Sequence, residues 1–561
     1  MRPRVFALFV IGFVLSVHSG CSSGGGGEVE DEPLGVTGTA PADLAVDVPL
    51  ETKVRVRLNA DIKRSTLNTT TFTLFELDGA QVPGTVEIDQ TPDIAVFTPE
   101  DPLTLITTYT ATVTTGLGDV DDRTLEGPFK WSFTTVDAGW GTIELIEEND
   151  VGPAGSPQVA TDADGNAFAV WRQSDGVNLN ILANRYTRSD LWGEAQLIGL
   201  PEGGGAGLPQ LAVDPSGVAH AIWAQRDGET AHVYTSRYAP SEGDWSAHEL
   251  IQTDVITEAR EPQIGVDANG NAIAVWIQRD IEGFGDLVWA NRYTPGGRWG
   301  KAEPIEASDP TLHGLGIDVA VGPNGNAVAV WTRSEAVLKG ELWSNRYTVG
   351  SGWGVDEIIG VEGLGNVQAP RVAIDADGNA HAVWQLSEGT SEDVWTNRST
   401  PTEGWGEAQR LENDPNPAGS PAIAAEPSGT AHAVWWQSDG TLQNIWASRY
   451  TPAGGWGAPQ LIEQPVEDPE EEGSADRPQI AVDPNGNVFV VWQQQDIGRF
   501  NIWSNRYAPE AGWAAAELIE QETLFGSGPQ IAVDPDRHAH AVWAQAVTSL
   551  GLTHIATNRF E

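Results

Sequence analysis

The chain has one cysteine in 561 residues, Cys21, so no disulfide can form within it and no thiolate cluster can hold a metal. Lysine is almost absent, and Asp plus Glu outnumber Lys plus Arg by 79 to 31, a formal charge of −48. Nucleic acid and anionic membrane surfaces need clustered cations, so neither is an expected partner. The histidines are scattered, mostly at His220, His381, His432 and His540, without metal-ligand spacing. The apolar run from Val5 to Val17, preceded by Arg2 and Arg4, is too short to span a bilayer and has the form of a secretory leader.

Tryptophan, by contrast, recurs eight times in one frame, at Trp171, Trp223, Trp276, Trp331, Trp384, Trp435, Trp492 and Trp543, 51 to 57 residues apart. Such a period marks a repeat architecture. Each Trp closes a segment like Pro478 to Trp492, two alternating apolar runs around a tight turn, which reads as a β-hairpin of strands a and b. Strand c carries Asn/Ser-Arg-Tyr, at Arg185, Arg237, Arg292, Arg346, Arg398, Arg449, Arg506 and Arg559, with Ser399 and Phe560 in place of Tyr in two copies. Strand d opens on Trp, at Trp140, Trp192, Trp245, Trp299, Trp353, Trp405, Trp456 and Trp513. The units are out of phase: the first is a lone d strand, Trp140 to Glu147, and the last stops after c. Pairing the two closes a ring and removes the exposed sheet edges that an open solenoid would leave. The expected fold is all-β, with residues 138–561 an eight-bladed β-propeller closed by an N-terminal outer strand, a innermost and d outermost.

Residues 1–20 read as a signal peptide and 21–32 as a Gly/Ser/acidic tether. Cys21 after Ser19-Gly20 resembles the lipobox of bacterial lipoproteins, with His18 where that family usually has Leu. The resemblance implies acyl chains on Cys21, a membrane anchor through the N-terminus, and, from Ser22, an outer-membrane location, periplasmic or surface-exposed. Between tether and repeats, residues 33–136 alternate Thr, Val and Phe between turns, as a small β-sandwich does. Val48-Pro49-Leu50, Thr70 to Leu74, Phe97-Thr98-Pro99, Thr107 to Thr115 and Trp131 to Thr135 together resemble the bacterial Ig-like domain of the SbsA surface-layer type. Leu58 to Ile62 and Asp121-Asp122-Arg123 depart from its pattern; the family implies a spacer or adhesion module without catalytic residues.

Strands a and b resemble NHL-type propeller repeats through turns such as Asp162-Ala163-Asp164-Gly165-Asn166, and the sialidase Asp-box more weakly. These turns could be read as calcium loops, but no bidentate Glu follows them, and a Gly- and Asn-dependent hairpin turn is the better reading. No cofactor is expected beyond that calcium alternative. Because a and c end at one rim, each turn Asp is expected to pair with its own c-strand Arg as a structural bond: Asp162 with Arg185, Asp214 with Arg237, Asp267 with Arg292, Asp375 with Arg398, Asp483 with Arg506 and Asp534 with Arg559. At the other rim b ends in Gln173, Gln225, Gln278, Gln437, Gln494 and Gln545, followed by Asp175, Asp227, Asp280, Glu335, Glu388, Asp439 and Asp496. These are the candidate residues for a cation or for sugar hydroxyls, with a polar b–c turn as the plainer alternative.

A sialidase-like glycosidase needs unique Arg and Tyr positions, whereas these recur in every unit. The reading is therefore a non-catalytic, monomeric binding or scaffold module for polysaccharide or an envelope protein. The alternatives are an extracellular glycoside hydrolase and a purely structural envelope component.

Overall fold

The computed structural model describes residues 33–561 apart from 77–78, 105–106, 136–138, 148–150, 202, 253–256, 280–284, 307–312, 337–338, 362, 364, 390, 464–471, 497, 521–524, 548–551 and 561. Side chains at 46–47, 313–315, 335–336, 339, 472 and 496 are not described either. One 3-10 turn, Arg64–Thr66, is the only helical element among the described residues; the rest of the ordered backbone is strand and turn. The chain divides into two compact units, Met1–Gly139 and Trp140–Glu561.

The first unit is a sandwich of two four-stranded sheets. Its strands are β1 (Val36–Ala40), β2 (Ala45–Val48), β3 (Val54–Leu58), β4 (Phe72–Glu76), β5 (Gly84–Ile88), β6 (Ile94–Pro99), β7 (Thr108–Val113) and β8 (Phe129–Thr135). The sheet orders are β1-β3-β6-β5 and β2-β8-β7-β4. Alternation explains the packing: in β3 Val54, Val56 and Leu58 are buried while Arg55 and Arg57 are half-exposed. The inward side chains meet Phe72, Phe97, Tyr109 and Trp131 in one core.

The second unit contains eight successive antiparallel sheets. Sheet 1 runs Ala154–Thr161 (a), Ala167–Ser174 (b), Leu179–Thr187 (c), then the short d pieces Leu191–Trp192 and Gln196–Leu197. Sheet 8 consists of Gly526–Val533, Ala539–Ala546 and Thr553–Phe560, and its fourth strand is Glu144–Leu145, paired through Ala556↔Leu145 and Thr557↔Glu144. The inner strand of each sheet lies beside that of the next, and that of the eighth beside the first.

Two adjacent pairs in each repeat explain why the sheets stack face to face. Neighbouring residues on a strand point to opposite faces, so in Val170-Trp171 one side chain serves each interface. Val170 packs with Trp223 of sheet 2, while Trp171 packs with Val542 and Ile555 of sheet 8. The same face logic holds for Arg-Tyr on strand c. Arg185 lies over Tyr238 at 5.2 Å, Arg237 over Tyr293 at 6.0 Å, and Arg449 over Tyr507 at 5.8 Å. Arg559 of sheet 8 lies over Tyr186 of sheet 1 at 4.9 Å. Where Ser399 replaces Tyr, Arg346 donates to its Oγ at 3.1 Å instead.

Candidate functional site

The Gln near the end of six of the eight b strands faces inward. It stands two residues after the Trp, hence on the same face, and its Oε1 accepts the indole Nε1–H. The distances are 3.0 Å at Gln173, 3.0 Å at Gln225, 2.9 Å at Gln278, 3.1 Å at Gln437, 3.0 Å at Gln494 and 2.7 Å at Gln545. All six are buried. Their reading as rim residues for a ligand is therefore corrected: they satisfy a donor that would cost about 1–3 kcal/mol if buried alone.

Two of the acids beyond them, Asp175 and Asp439, hold their own turns. Asp175 Oδ1 accepts the backbone N–H of Val177 and Asn178, and Asp439 Oδ1 those of Thr441 and Leu442. The hydroxyl of Thr441 and these backbone donors bring the Asp439 carboxyl down to about 2. Asp227 is exposed and accepts the Tyr234 hydroxyl at 3.4 Å; Glu388 is exposed. Asp280 lies outside the described residues, as do the side chains of Glu335 and Asp496, while Cys21 precedes them. Among the described residues no group of three or more His, Cys, Asp or Glu could hold a metal.

The pairing of turn Asp with Arg is also corrected. Asp162 Oδ1 accepts the N–H of Asp164 and Asn166, and Oδ2 the Asn166 amide at 2.7 Å. Asp267, Asp375 and Asp483 repeat this, Asp214 uses Ser216 and Val218, and Asp534 uses His538. Their oxygens are engaged mainly inside the turn, with Asp534 also accepting from Arg188 at 3.3 Å, so Arg185, Arg237, Arg292, Arg398, Arg506 and Arg559 lie over the aromatic ring of the next sheet instead.

The a strands, which lie beside one another from sheet to sheet, carry a repeated feature of their own. In seven of the eight described a strands the register with b slips, as between Gly155 and Gln158 or Asp476 and Gln479. The slip is a β-bulge with a residue at positive φ: Ser156 (53°), Glu261 (52°), Gly316 (90°), Ala369 (46°), Ser420 (48°), Arg477 (53°) and Gly528 (62°). For the five that are not glycine this conformation costs on the order of 1–3 kcal/mol each. A bulge re-aims the side chain that follows it. The result is a cavity of about 340 Å³ lined from six sheets, including Gln158, Gln210, Gln479, Gln530, Arg371 and Arg477. The prolines beside these Gln are buried, and the Gln themselves half-buried.

The Pro-Gln recurrence was legible in the sequence as part of strand a; the bulge that re-aims it was not. A second repeated feature also escaped the pattern of strand d. Glu147, Glu412, Glu463 and Glu520 follow its last apolar residue and are buried. Glu147 contacts Gln173 and His554, and Glu463 accepts the Ile445 N–H at 2.9 Å. Their counterpart Glu306 accepts from Trp331 at 2.9 Å and lies 3.4 Å from Arg333; burial pushes its carboxyl up to about 7 against that Arg.

Residues 30–135 match the family model described as bacterial Ig-like domain. No curated protein matches the chain. Among solved structures, a lectin from Burkholderia pseudomallei is similar at 13% identity and TM-score 0.44, covering 66% of this chain and 98% of its own. The GH93 α-L-arabinofuranosidase of Fusarium graminearum is similar at 12% identity and TM-score 0.39, covering 67% and 99%. A polysaccharide lyase acting as an ulvan lyase is similar at 11% and 0.42, covering 64% and 90%.

Proposed function

We propose that this chain is a cell-envelope lipoprotein anchored through Cys21, in which the Ig-like unit serves as a spacer for a closed eight-bladed propeller that binds a hydroxyl-rich polymer, a polysaccharide, at its axis. The observation that carries the reading is the ring of strained bulges around the axial cavity. Strain repeated at one functional level of a scaffold is retained where surrounding structure holds groups ready for a ligand. Here it holds amides, each offering donors and an acceptor, which suit sugar hydroxyls. Arg371 and Arg477 add fixed donors. The described lining presents amides and guanidinium groups, the chemistry of hydroxyl binding.

The test is binding of the chain lacking its first 27 residues to arrayed bacterial and algal polysaccharides, with calcium and with chelator. Binding that resists chelation and falls at least tenfold in a variant combining Gln158→Ala, Gln479→Ala and Gln530→Ala is expected. No binding to any polysaccharide, or binding indifferent to these substitutions, would sink the axial reading.

A further inference from the structure

Away from the axis, grooves open between the outer halves of neighbouring sheets. One, of about 210 Å³, is lined by Arg185 and Gln196 of sheet 1 with Tyr238 and Trp245 of sheet 2. Another, of about 240 Å³, lies between sheets 6 and 7 and is lined by Arg449, Gln460, Tyr507 and Trp513. These are the same four repeat positions in two separate interfaces.

Both combine aromatic rings with fixed polar groups. Each Trp is half-exposed and stands edge-on to its Tyr, with centroids 6.0 Å apart in the first groove and 5.5 Å in the second. The guanidinium groups are pinned over the Tyr rings at 5.2 and 5.8 Å. The Nε of both Arg185 and Arg449 is buried without a hydrogen-bond partner, so the donors available to a ligand are the terminal guanidinium nitrogens. The Gln amide opposite is exposed. An aromatic surface, a fixed donor and an amide complement a sugar ring, whose C–H face is apolar and whose rim carries hydroxyls. Arg398 and Gln409 of sheet 5, with Tyr450 and Trp456 of sheet 6, repeat the four positions, and the Arg398 Nε again lacks a partner. The net charge of −48 and the carboxylates of Asp190 and Glu194 beside the first groove weigh against anionic sugars.

We propose that these inter-sheet grooves are binding sites for single neutral hexopyranose residues, separate from the axis, so that one chain holds a glycan at several points. Several weak sites on one body convert modest affinities into firm attachment.

Equilibrium dialysis of the chain from residue 28 against methyl glycosides of glucose, galactose and mannose tests this. At least two equivalents of one sugar are expected at saturation. Trp245→Ala with Trp513→Ala should remove two equivalents, and Trp245→Phe with Trp513→Phe should restore them. Gln196→Ala with Gln460→Ala, at exposed side chains that the fold does not require, should weaken binding at least threefold, while the axial triple variant keeps the same stoichiometry. Fewer than two equivalents for all three sugars, or a stoichiometry unmoved in both the Trp→Ala and Gln→Ala variants, overturns the groove sites. Polymer binding that persists there and disappears only in the axial variant would leave the axial reading standing alone.

Discussion

Each b-strand Trp takes a polar N–H into the core with its ring, and the Gln two residues on supplies the acceptor. Gln494→Leu should therefore cost about 1–3 kcal/mol in urea unfolding, the price of an orphaned donor. Sheet 5 shows that the fold survives it once: Leu386 stands at the Gln position, and the Trp384 N–H has no partner. The histidines three residues before these Trp present a sharper case. His220, His381 and His540 are fully buried with both ring nitrogens unpartnered, and burial brings them from 6.5 to about 3, 3 and 4. Between pH 6.5 and those values the unfolded chain binds protons that the folded one does not. Stability is thus lost as pH falls, by at most about 1.4 kcal/mol per pH unit for each His. Phe168 and Phe489 occupy the same repeat position and pack on Tyr238 and Phe560. The triple variant His220→Phe, His381→Phe, His540→Phe should fit and flatten the fall of Tm between about pH 6.5 and 4. Glu306 acts in the opposite sense. Its pKa is raised to about 7, so its contribution is full below 4.5 and is lost as pH rises through 7; Glu306→Gln should remove that limb from the same melts.

At the level of the hairpin, the a–b turn is where one sheet meets the next. Gly217 of sheet 2 has φ of 82°, and a Cβ built there would lie 2.8 Å from Asp162 Oδ2 of sheet 1. Gly270 meets Asp214 and Gly325 meets Asp267 in the same way. Glycine is needed twice over, for the left-handed backbone and for the approach of a carboxylate. Gly217→Ala is expected to lower Tm by several degrees, with a cost above about 1 kcal/mol. Sheet 8 places Arg537 at this position with φ of 75°, and its Nε lies 3.9 Å from Asp483. That long, half-exposed contact returns little, so Arg537→Gly should raise Tm; a lower Tm would show that the bridge outweighs the backbone strain.

Across the whole second unit, the last sheet takes its fourth strand from the start of the unit. Ile146 is buried against sheets 8 and 1, its carbonyl accepts the Asn184 amide at 2.9 Å, and Glu147 reaches Gln173 and His554. A chain starting at residue 148 leaves the c strand of sheet 8 as an open edge, and it is expected to melt at lower temperature and to self-associate in sedimentation, as unpaired edges do. The charge of −48 adds self-repulsion that salt screens, so Tm should rise between about 20 mM and 500 mM NaCl.

The period of Trp171 to Trp543, the Asn/Ser-Arg-Tyr strand and the offset Trp140 segment were enough to read the order of strands a, b and c and the pairing of Glu144–Leu145 with the last sheet, though not the split of d into two short pieces, because a strand's periodicity and its unpaired edge are local and additive properties of the chain. The matched Ig-like segment was legible for the same reason: its alternation alone separates core from surface. What alternation leaves undecided is which neighbouring sheet a face meets. Arg185 on Tyr238 rather than Asp162, and Gln173 on Trp171 rather than at a rim, follow from two sheets stacked face to face. The axial Gln and the Trp245 groove arise where bulges and sheet spacing bring separate repeats together. Only the stacking of sheets in the folded unit brings these separate repeats within reach of one another, so only the tertiary structure could decide them.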